Sequence, residues 1–295
     1  MRRRFATLDV FTDRCFSGNP LAVVLEPHGL DTAAMQAIAR EFNHPETVFV
    51  QAPSDRAHRA RLRIFTPARE LPFAGHPTVG TAVLLGLDGS PAVRELVLEE
   101  GIGNVHCLVE PTGEGQGRAR FALPQMPAPM SGMPDDAAIV AALGLTSADL
   151  GFAGFRPARW SAGLPISFVP VRGLAAVGGC RPDAQRLSQA FGDSAVYLFC
   201  GESAEPGHSY HARMFAPALG VPEDPATGSA AAAFAGMLAT AGGLGDGEHA
   251  IAIEQGYEMG RPSVLRLTIT LRAGQLRSAA VGGDAVLVTE GTIEA

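Results

Sequence analysis

The chain is 295 residues long, which suits about two domains, each large enough to bury a core of its own. Hydrophobic residues make up 46% and charged residues 18%, with 35 Gly and 22 Pro, a composition that excludes disorder and points to a compact protein with many tight turns. The net charge of −7 excludes non-specific attraction to nucleic acid or anionic lipid and leaves a small molecule as the expected partner.

In chain order, Arg2-Arg3-Arg4 leads into alternating strand-like residues rather than the apolar core of a signal peptide. No apolar run reaches the ~18 residues of a spanning helix. The expectation is a cytoplasmic protein with no membrane segment. Strands are predicted at residues 5–12, 21–25, 47–51, 59–66, 94–99 and 104–110. Between the second and third, residues 31–42 carry Met35, Ile38 and Ala39 at helical spacing behind Asp31, the pattern of a capped amphipathic helix. Residues 77–86 read as a central, wholly apolar helix. Gly- and Pro-rich segments 111–117 and 124–134 flank a short strand at 118–123, which places the domain boundary near residue 128. The second domain, 129–281, repeats the mixture. Its apolar helix is predicted at 225–240, where the run Ala230 to Ala233 signals close packing of helix on sheet. Strands follow at 264–271 and 276–288, and the tail of about 282–295 is expected to cross back and complete the first domain's sheet.

Cys15, Cys107, Cys180 and Cys200 form no C-x-x-C pair, so the expectation is four buried thiols and neither a disulfide framework nor a zinc site. His208 and His211, near Glu202 and Glu205, fall in a Gly/Pro/Ser-rich stretch that reads as a surface loop; no metal site is predicted there.

The two halves echo each other. Arg63-Ile-Phe65-Thr-Pro67 recurs as Arg213-Met-Phe215-Ala-Pro217, and His76-Pro77-Thr-Val-Gly80-Thr81-Ala82 matches Asp224-Pro225-Ala-Thr-Gly228-Ser229-Ala230. Earlier, Gly18-Asn-Pro20-Leu resembles Gly163-Leu-Pro165-Ile; later, Leu98-Glu-Glu-Gly101 resembles Ile253-Glu-Gln-Gly256. Four matches in one order predict a tandem duplication, with the function expected at the seam.

Pro77 and Pro225 suit the first position of a helix, so each motif is expected to mark a helix N-terminus. Gly75, Thr78, Gly80, Thr227, Gly228 and Ser229 would leave room there for a carboxylate. Asp224 is explained equally well as a plain N-cap. His76, aligned with Asp224 in the repeat, is a poor cap and a good proton carrier, although a lone histidine is more often structural. Glu46, ahead of the strand from Thr47, aligns with Ser194, so its carboxylate belongs to one copy only.

These residues carry a resemblance. Phe11-Thr-Asp-x-x-Phe16-x-Gly-Asn-Pro20, Glu46-Thr-x-Phe49, Glu70-Leu-Pro-Phe-Ala-Gly-His-Pro-Thr78 and Glu223-Asp-Pro-Ala-Thr-Gly-Ser229 resemble the PhzF phenazine-biosynthesis family over almost the full length. The resemblance implies an α+β, diaminopimelate epimerase-like fold: two pseudo-symmetric domains, each a sheet wrapped around a central helix, and a homodimer. It implies a cofactor-independent isomerase moving a proton on a small carboxylate-bearing, cyclic and conjugated metabolite. Glu46 would be the base, with His76 and Asp224 flanking the substrate. Asn19, Gly75, Thr227, Gly228 and Ser229 would bind it. Relatives that racemise amino acids carry a cysteine at each helix start; here Ala74-Gly75 and Asp224 stand there. A racemase, epimerase or dehydratase of an amino or hydroxy acid would need His76 or Asp224 as its second group. A non-catalytic metabolite-binding protein is the alternative outside enzymes. Gly101-Ile-Gly103 lacks the third glycine and the helix of a dinucleotide-binding fingerprint, which excludes a Rossmann dehydrogenase.

Overall fold

The computed structural model describes residues 1–87 and 92–295. The fold is mixed and sheet-rich with few helices, in two compact units: residues 1–124 with 282–295, and residues 125–281.

The first unit comprises β1 (Arg2–Val10), β2 (Asn19–Leu25), α1 (Thr32–Phe42), β3 (Glu46–Gln51), β4 (Ala60–Phe65), β5 (Glu70–Leu71), α2 (Gly75–Gly86), β6 (Arg94–Glu100), β7 (Gly103–Gly113) and β8 (Gln116–Ala122). In the second are β9 (Ala128–Met130), α3 (Asp136–Leu143), β10 (Ala158–Ser161), β11 (Pro165–Pro170), α4 (Leu174–Gly179), α5 (Ala184–Phe191), β12 (Ala195–Cys200), β13 (Tyr210–Ala216), β14 (Val221–Asp224), α6 (Gly228–Ala241), β15 (Gly247–Gln255) and β16 (Ser263–Arg272). The last strand, β17 (Gln275–Glu294), passes from the second unit into the first and pairs antiparallel with β1, Arg2 opposite Glu294 and Val10 opposite Ala285.

Both units use the same connections. The α1 segment carries the chain between parallel strands β2 and β3, and α2 does so between β4 and β6. In the second unit α4 and α5 join parallel β11 and β12, and α6 joins β13 and β15. Helix α1 forms as its sequence requires: Asp31 accepts the Ala34 N–H at its start, Asn43 closes it in the left-handed region, and Met35 and Ala39 face the core.

Helices α2 and α6 are mostly apolar and largely buried. In α2, Gly75 through Val83 are buried; in α6, Gly228 and Ala230 through Leu238. Glycine is needed where helix meets strand most closely. A Cβ on Gly80 would stand 2.6 Å from both Leu21 and Val10, and one on Gly236 would stand 2.5 Å from the Trp160 ring. The run Ala230 to Ala233 is buried in that packing.

Three details differ from the sequence reading. Cys15 is exposed, while Cys107, Cys180 and Cys200 are buried. Pro77 is the third residue of α2 rather than the first, still within the turn whose N–H groups have no helical partner. Pro225 precedes α6, whose N-cap position is Thr227, and Asp224 ends β14 rather than capping the helix.

Candidate active site

The strand registers set the true correspondence between the copies. Ile64 of β4 pairs with Leu71, and Met214 of β13 pairs with Asp224. Arg63 grips Glu70 with two nitrogens at 2.7 and 2.6 Å; Arg213 grips Glu223 at 2.8 and 2.9 Å. Three residues then separate β5 from α2 and β14 from α6. Asp224 therefore corresponds to Leu71, and His76 to Ser229, so aligning His76 with Asp224 was wrong by five residues. Glu46 shifts too: it pairs with Leu21, as Ala195 pairs with Ile166, so its counterpart is Ala195 and not Ser194.

In the first unit Glu46 opens β3, and α2 turns His76 back towards it. His76 Nε2 lies 3.4 Å from Glu46 Oε2, with the histidine 5% exposed. The ring hydrogen-bonds the backbone of Pro20, beside buried Asn19. Since Nε2 has no hydrogen-bond partner among the described residues, that bond is donated by Nδ1 to the Pro20 carbonyl. Burial lowers the His76 pKa to about 3, against the help of Pro20 and with a smaller push from His44. The imidazole is therefore neutral, its proton on Nδ1 and its Nε2 lone pair turned to the carboxyl of Glu46. Asn19, Glu46, Gly75 and His76 thus meet at one end of the first unit's sheet.

In the second unit Asp224, Thr227, Gly228 and Ser229 form a turn and helix start. Thr227 Oγ1 donates to Asp224 Oδ2. Gln255 holds the turn from below: its Oε1 accepts the Thr227 N–H at 3.2 Å, and its Nε2 donates to the Asp224 carbonyl at 2.7 Å and to Thr227 Oγ1 at 3.0 Å. Across the sheet Asp224 belongs to the row Tyr197, Met214, Asp224, whose counterpart in the first unit is Val48, Ile64, Leu71. Residues directly opposite share a face, so two polar groups interrupt what is elsewhere an apolar row. Tyr197 is fully buried and its hydroxyl has no partner among the described residues; burial and the Asp224 charge raise its pKa and keep it neutral.

The sequence reading missed three polar groups. Glu100, 8% exposed, accepts a hydrogen bond from Thr78 Oγ1 at 2.8 Å. Gln255 and Tyr197 are the others. Glu100 and Gln255 lay within the recognised repeat Leu98-Glu-Glu and Ile253-Glu-Gln, but nothing in the motif marks which of its polar residues points inward.

The preceding residues, Glu99 and Glu254, form a duplicated clasp. Glu99 accepts the N–H groups of Ser54 and Asp55 and bonds His58 Nδ1; Glu254 accepts those of Ala204 and Glu205 and bonds His208 Nδ1. His211 is not in a surface loop. It lies on β13, buried between Glu254 at 2.7 Å and Glu258 at 3.0 Å. No group of three or more His, Cys, Asp or Glu able to hold a metal ion occurs among the described residues, nor is any helix there long and apolar enough to cross a membrane.

The family model for phenazine biosynthesis-like proteins, PhzC-PhzF, matches residues 8–291. The chain belongs to this family. Among PhzF relatives, an uncharacterised isomerase of Mesorhizobium japonicum is 47% identical over 99% of this chain and 98% of its own. The trans-2,3-dihydro-3-hydroxyanthranilate isomerase of Pseudomonas chlororaphis is 37% identical over 98% of each. Among solved structures, a PhzF-family phenazine biosynthesis protein of Bacillus anthracis superposes with a TM-score of 0.89 at 26% identity, covering 100% of both chains. A hydroxyproline epimerase of Agrobacterium vitis shares the fold alone, with a TM-score of 0.61 at 11% identity over 99% of this chain and 91% of that one. Family membership places the chain among isomerases.

Proposed function

We propose that the protein is a cofactor-independent, PhzF-like isomerase that moves a proton within a small, cyclic, conjugated carboxylate, on a diaminopimelate epimerase-like scaffold. The substrate class follows from the relatives named for trans-2,3-dihydro-3-hydroxyanthranilate. The observation that carries the reading is the neutral His76 with its bare Nε2 at 3.4 Å from Glu46 Oε2.

Glu46 is the base. Its carboxylate takes a proton from a carbon acidified by an adjacent π-system and carboxyl group, the electron pair passing into that π-system. The new carboxylic acid donates its hydrogen to the His76 Nε2 lone pair, which has no hydrogen to offer and so favours the protonated acid. Glu46 then returns the proton to another carbon of the same system, so no atom or electron is gained or lost overall. A positively charged His76 would hold Glu46 as a carboxylate and oppose the first step; burial prevents that. Gly75, Gly228, Ser229, Thr227 and Asn19 bind the polar groups of the substrate, and Asp224 serves the same reaction as a proton relay or orienting group.

Thiol chemistry of the two-cysteine kind has no support in the residues present. Cys107 and Cys180 are buried with pKa pushed up by burial to about 12 and about 11, and neither is at a helix start. We further propose a cytoplasmic homodimer; light scattering giving the 30.7 kDa mass of one chain would refute the dimer.

Glu46→Gln tests the base. It is expected to cut solvent-deuterium incorporation into trans-2,3-dihydro-3-hydroxyanthranilate by about 10²- to 10⁴-fold, followed by NMR in D₂O. Incorporation at the parent rate would remove Glu46 from the role.

A further inference from the structure

Beneath each helix start lies one buried polar side chain that the proposed proton transfer leaves unused. In the second unit it is Gln255, fully buried at the end of β15. Its amide has one workable orientation. The oxygen must meet the Thr227 N–H and the nitrogen must meet the Asp224 carbonyl, because reversing it would set donor against donor and acceptor against acceptor. Thr227 spends its single hydroxyl hydrogen on Asp224 Oδ2, so its oxygen is left to accept from Gln255 Nε2. Amide, hydroxyl and carboxylate form a chain with a fixed direction, and it ends on Asp224.

The first unit has Glu100 in this place. Arg61 pairs with Glu99 as His211 pairs with Glu254, which sets Glu100 against Gln255. Glu100 Oε1 accepts from Thr78, one turn along the helix from Gly75, and Oε2 is buried without a partner among the described residues. Desolvation raises its pKa to about 8, so near neutrality it is an uncharged acid with one hydrogen, as Gln255 is an uncharged amide.

We infer that Gln255 is the positioning residue for Asp224, and that Glu100 is its counterpart beneath the helix start that carries His76. Neither touches a reacting atom; Gln255 holds the backbone of the turn that carries Asp224, and Glu100 holds the Thr78 side chain, whose hydroxyl also lies 2.8 Å from the Ala74 carbonyl at the start of α2. The inference rests on the reading that Asp224 and His76 serve the reaction.

Gln255→Leu keeps the approximate volume and removes every hydrogen bond. With the full chain and trans-2,3-dihydro-3-hydroxyanthranilate as probe, kcat is expected to fall about 10- to 100-fold while KM moves less than about threefold, the signature of a displaced functional group. Combined with Asp224→Asn, it should cause little loss beyond that of Asp224→Asn alone, since both act at one carboxylate. A parental kcat in folded Gln255→Leu, or fully additive losses, would overturn the inference. If Asp224→Asn alone leaves kcat unchanged, the underlying reading of Asp224 fails instead, a separate outcome.

Two further measurements do not depend on Gln255→Leu folding well, and the second does not depend on that substrate turning over. Glu100→Gln installs the second unit's own side chain and should rescue what Glu100→Leu loses; equal kcat in the two would count against the inference. Hydrogen exchange at the Thr227 amide should be slow in the parent and faster in the milder Gln255→Met; equal protection would overturn it.

Discussion

The two units are alike where they are scaffold and unlike where they carry chemistry. Each has an arginine gripping a glutamate two-handed, a glutamate clasping a loop through backbone N–H groups and a histidine, and an apolar helix opening on glycine. At the ends of the strands facing those helix starts the match stops. Glu46 stands against Ala195, His76 against Ser229, Leu71 against Asp224, Val48 against Tyr197 and Glu100 against Gln255. A duplicated framework keeps the residues that hold its shape and is free to diverge where shape no longer depends on them. Of the carboxylates proposed for the chemistry, Glu46 lies on β3 of the first unit and Asp224 on β14 of the second, so the two copies place them on different strands.

The arginine grips give the largest stability contrast. Arg213 is 9% exposed and also bonds the Val177 and Cys180 carbonyls, whereas Arg63 is 20% exposed and its partner Glu70 38%. Arg213→Met should destabilise by about 3–5 kcal/mol, because it strands a largely buried Glu223. Arg63→Met should cost about 1 kcal/mol. Equal losses in urea unfolding would mean the two grips are energetically the same device.

Histidine titration separates the units next. His76 has its folded pKa lowered from 6.5 to about 3, so the unfolded chain binds the extra proton first and stability falls as pH drops from about 6.5 towards 3. His211 is raised: burial opposes the shift, but hydrogen bonds to Glu258 and Glu254 outweigh it. Its contribution is fully present below 6.5 and is lost as pH rises through the folded value. Imidazole ¹⁵N NMR should find His76 neutral at pH 5 and His211 charged at pH 6.5. A His76 midpoint near 6.5 would also undo the proposed role of its bare Nε2.

A smaller effect, of opposite sign, is expected at Tyr197. Its buried hydroxyl lacks a partner where the other copy has Val48, so Tyr197→Phe should stabilise by about 1 kcal/mol. Activity retained with higher Tm would make it a relic of packing; a large kcat loss would add it to the proposed machinery. The smallest contrast is a null one. Asp31 and Asp183 cap α1 and α5 alike, accepting from Ala34 and Arg186, and each change to Ala should cost about 1 kcal/mol in thermal unfolding.

Much of this was legible beforehand, for physical reasons. The strand alternation, the capped α1 and the four-part repeat follow from periodicities and turn residues that act locally. What misled was the choice of register within the repeat. His76-Pro77 and Asp224-Pro225 share a proline and a following glycine, residues common at any tight helix entry. The intervening 3-10 turn at Pro217–Leu219 and a bulge in β13 against β14 lengthen the second copy and conceal the slip. Glu100 and Tyr197 were illegible because burial of a polar group against its preference is decided by tertiary packing. His211 was hidden in the same way: polar neighbours read as a loop, while β13 buries the residue between two carboxylates.

The pairing of β1 with β17 has a consequence for biosynthesis. One edge of β1 meets β2 within the first 25 residues, but the other must wait about 275 residues for the stretch from Ala285 onward. At typical elongation rates of about 5–20 residues per second, that edge stays open on the ribosome for roughly 15–60 s. An unpaired strand edge invites pairing with other chains, and long cationic side chains are a known protection. Arg2, Arg3 and Arg4 lie on the part of β1 that pairs with β17 and not with β2, so this edge carries three cationic side chains until residues 285–294 are available to pair with it.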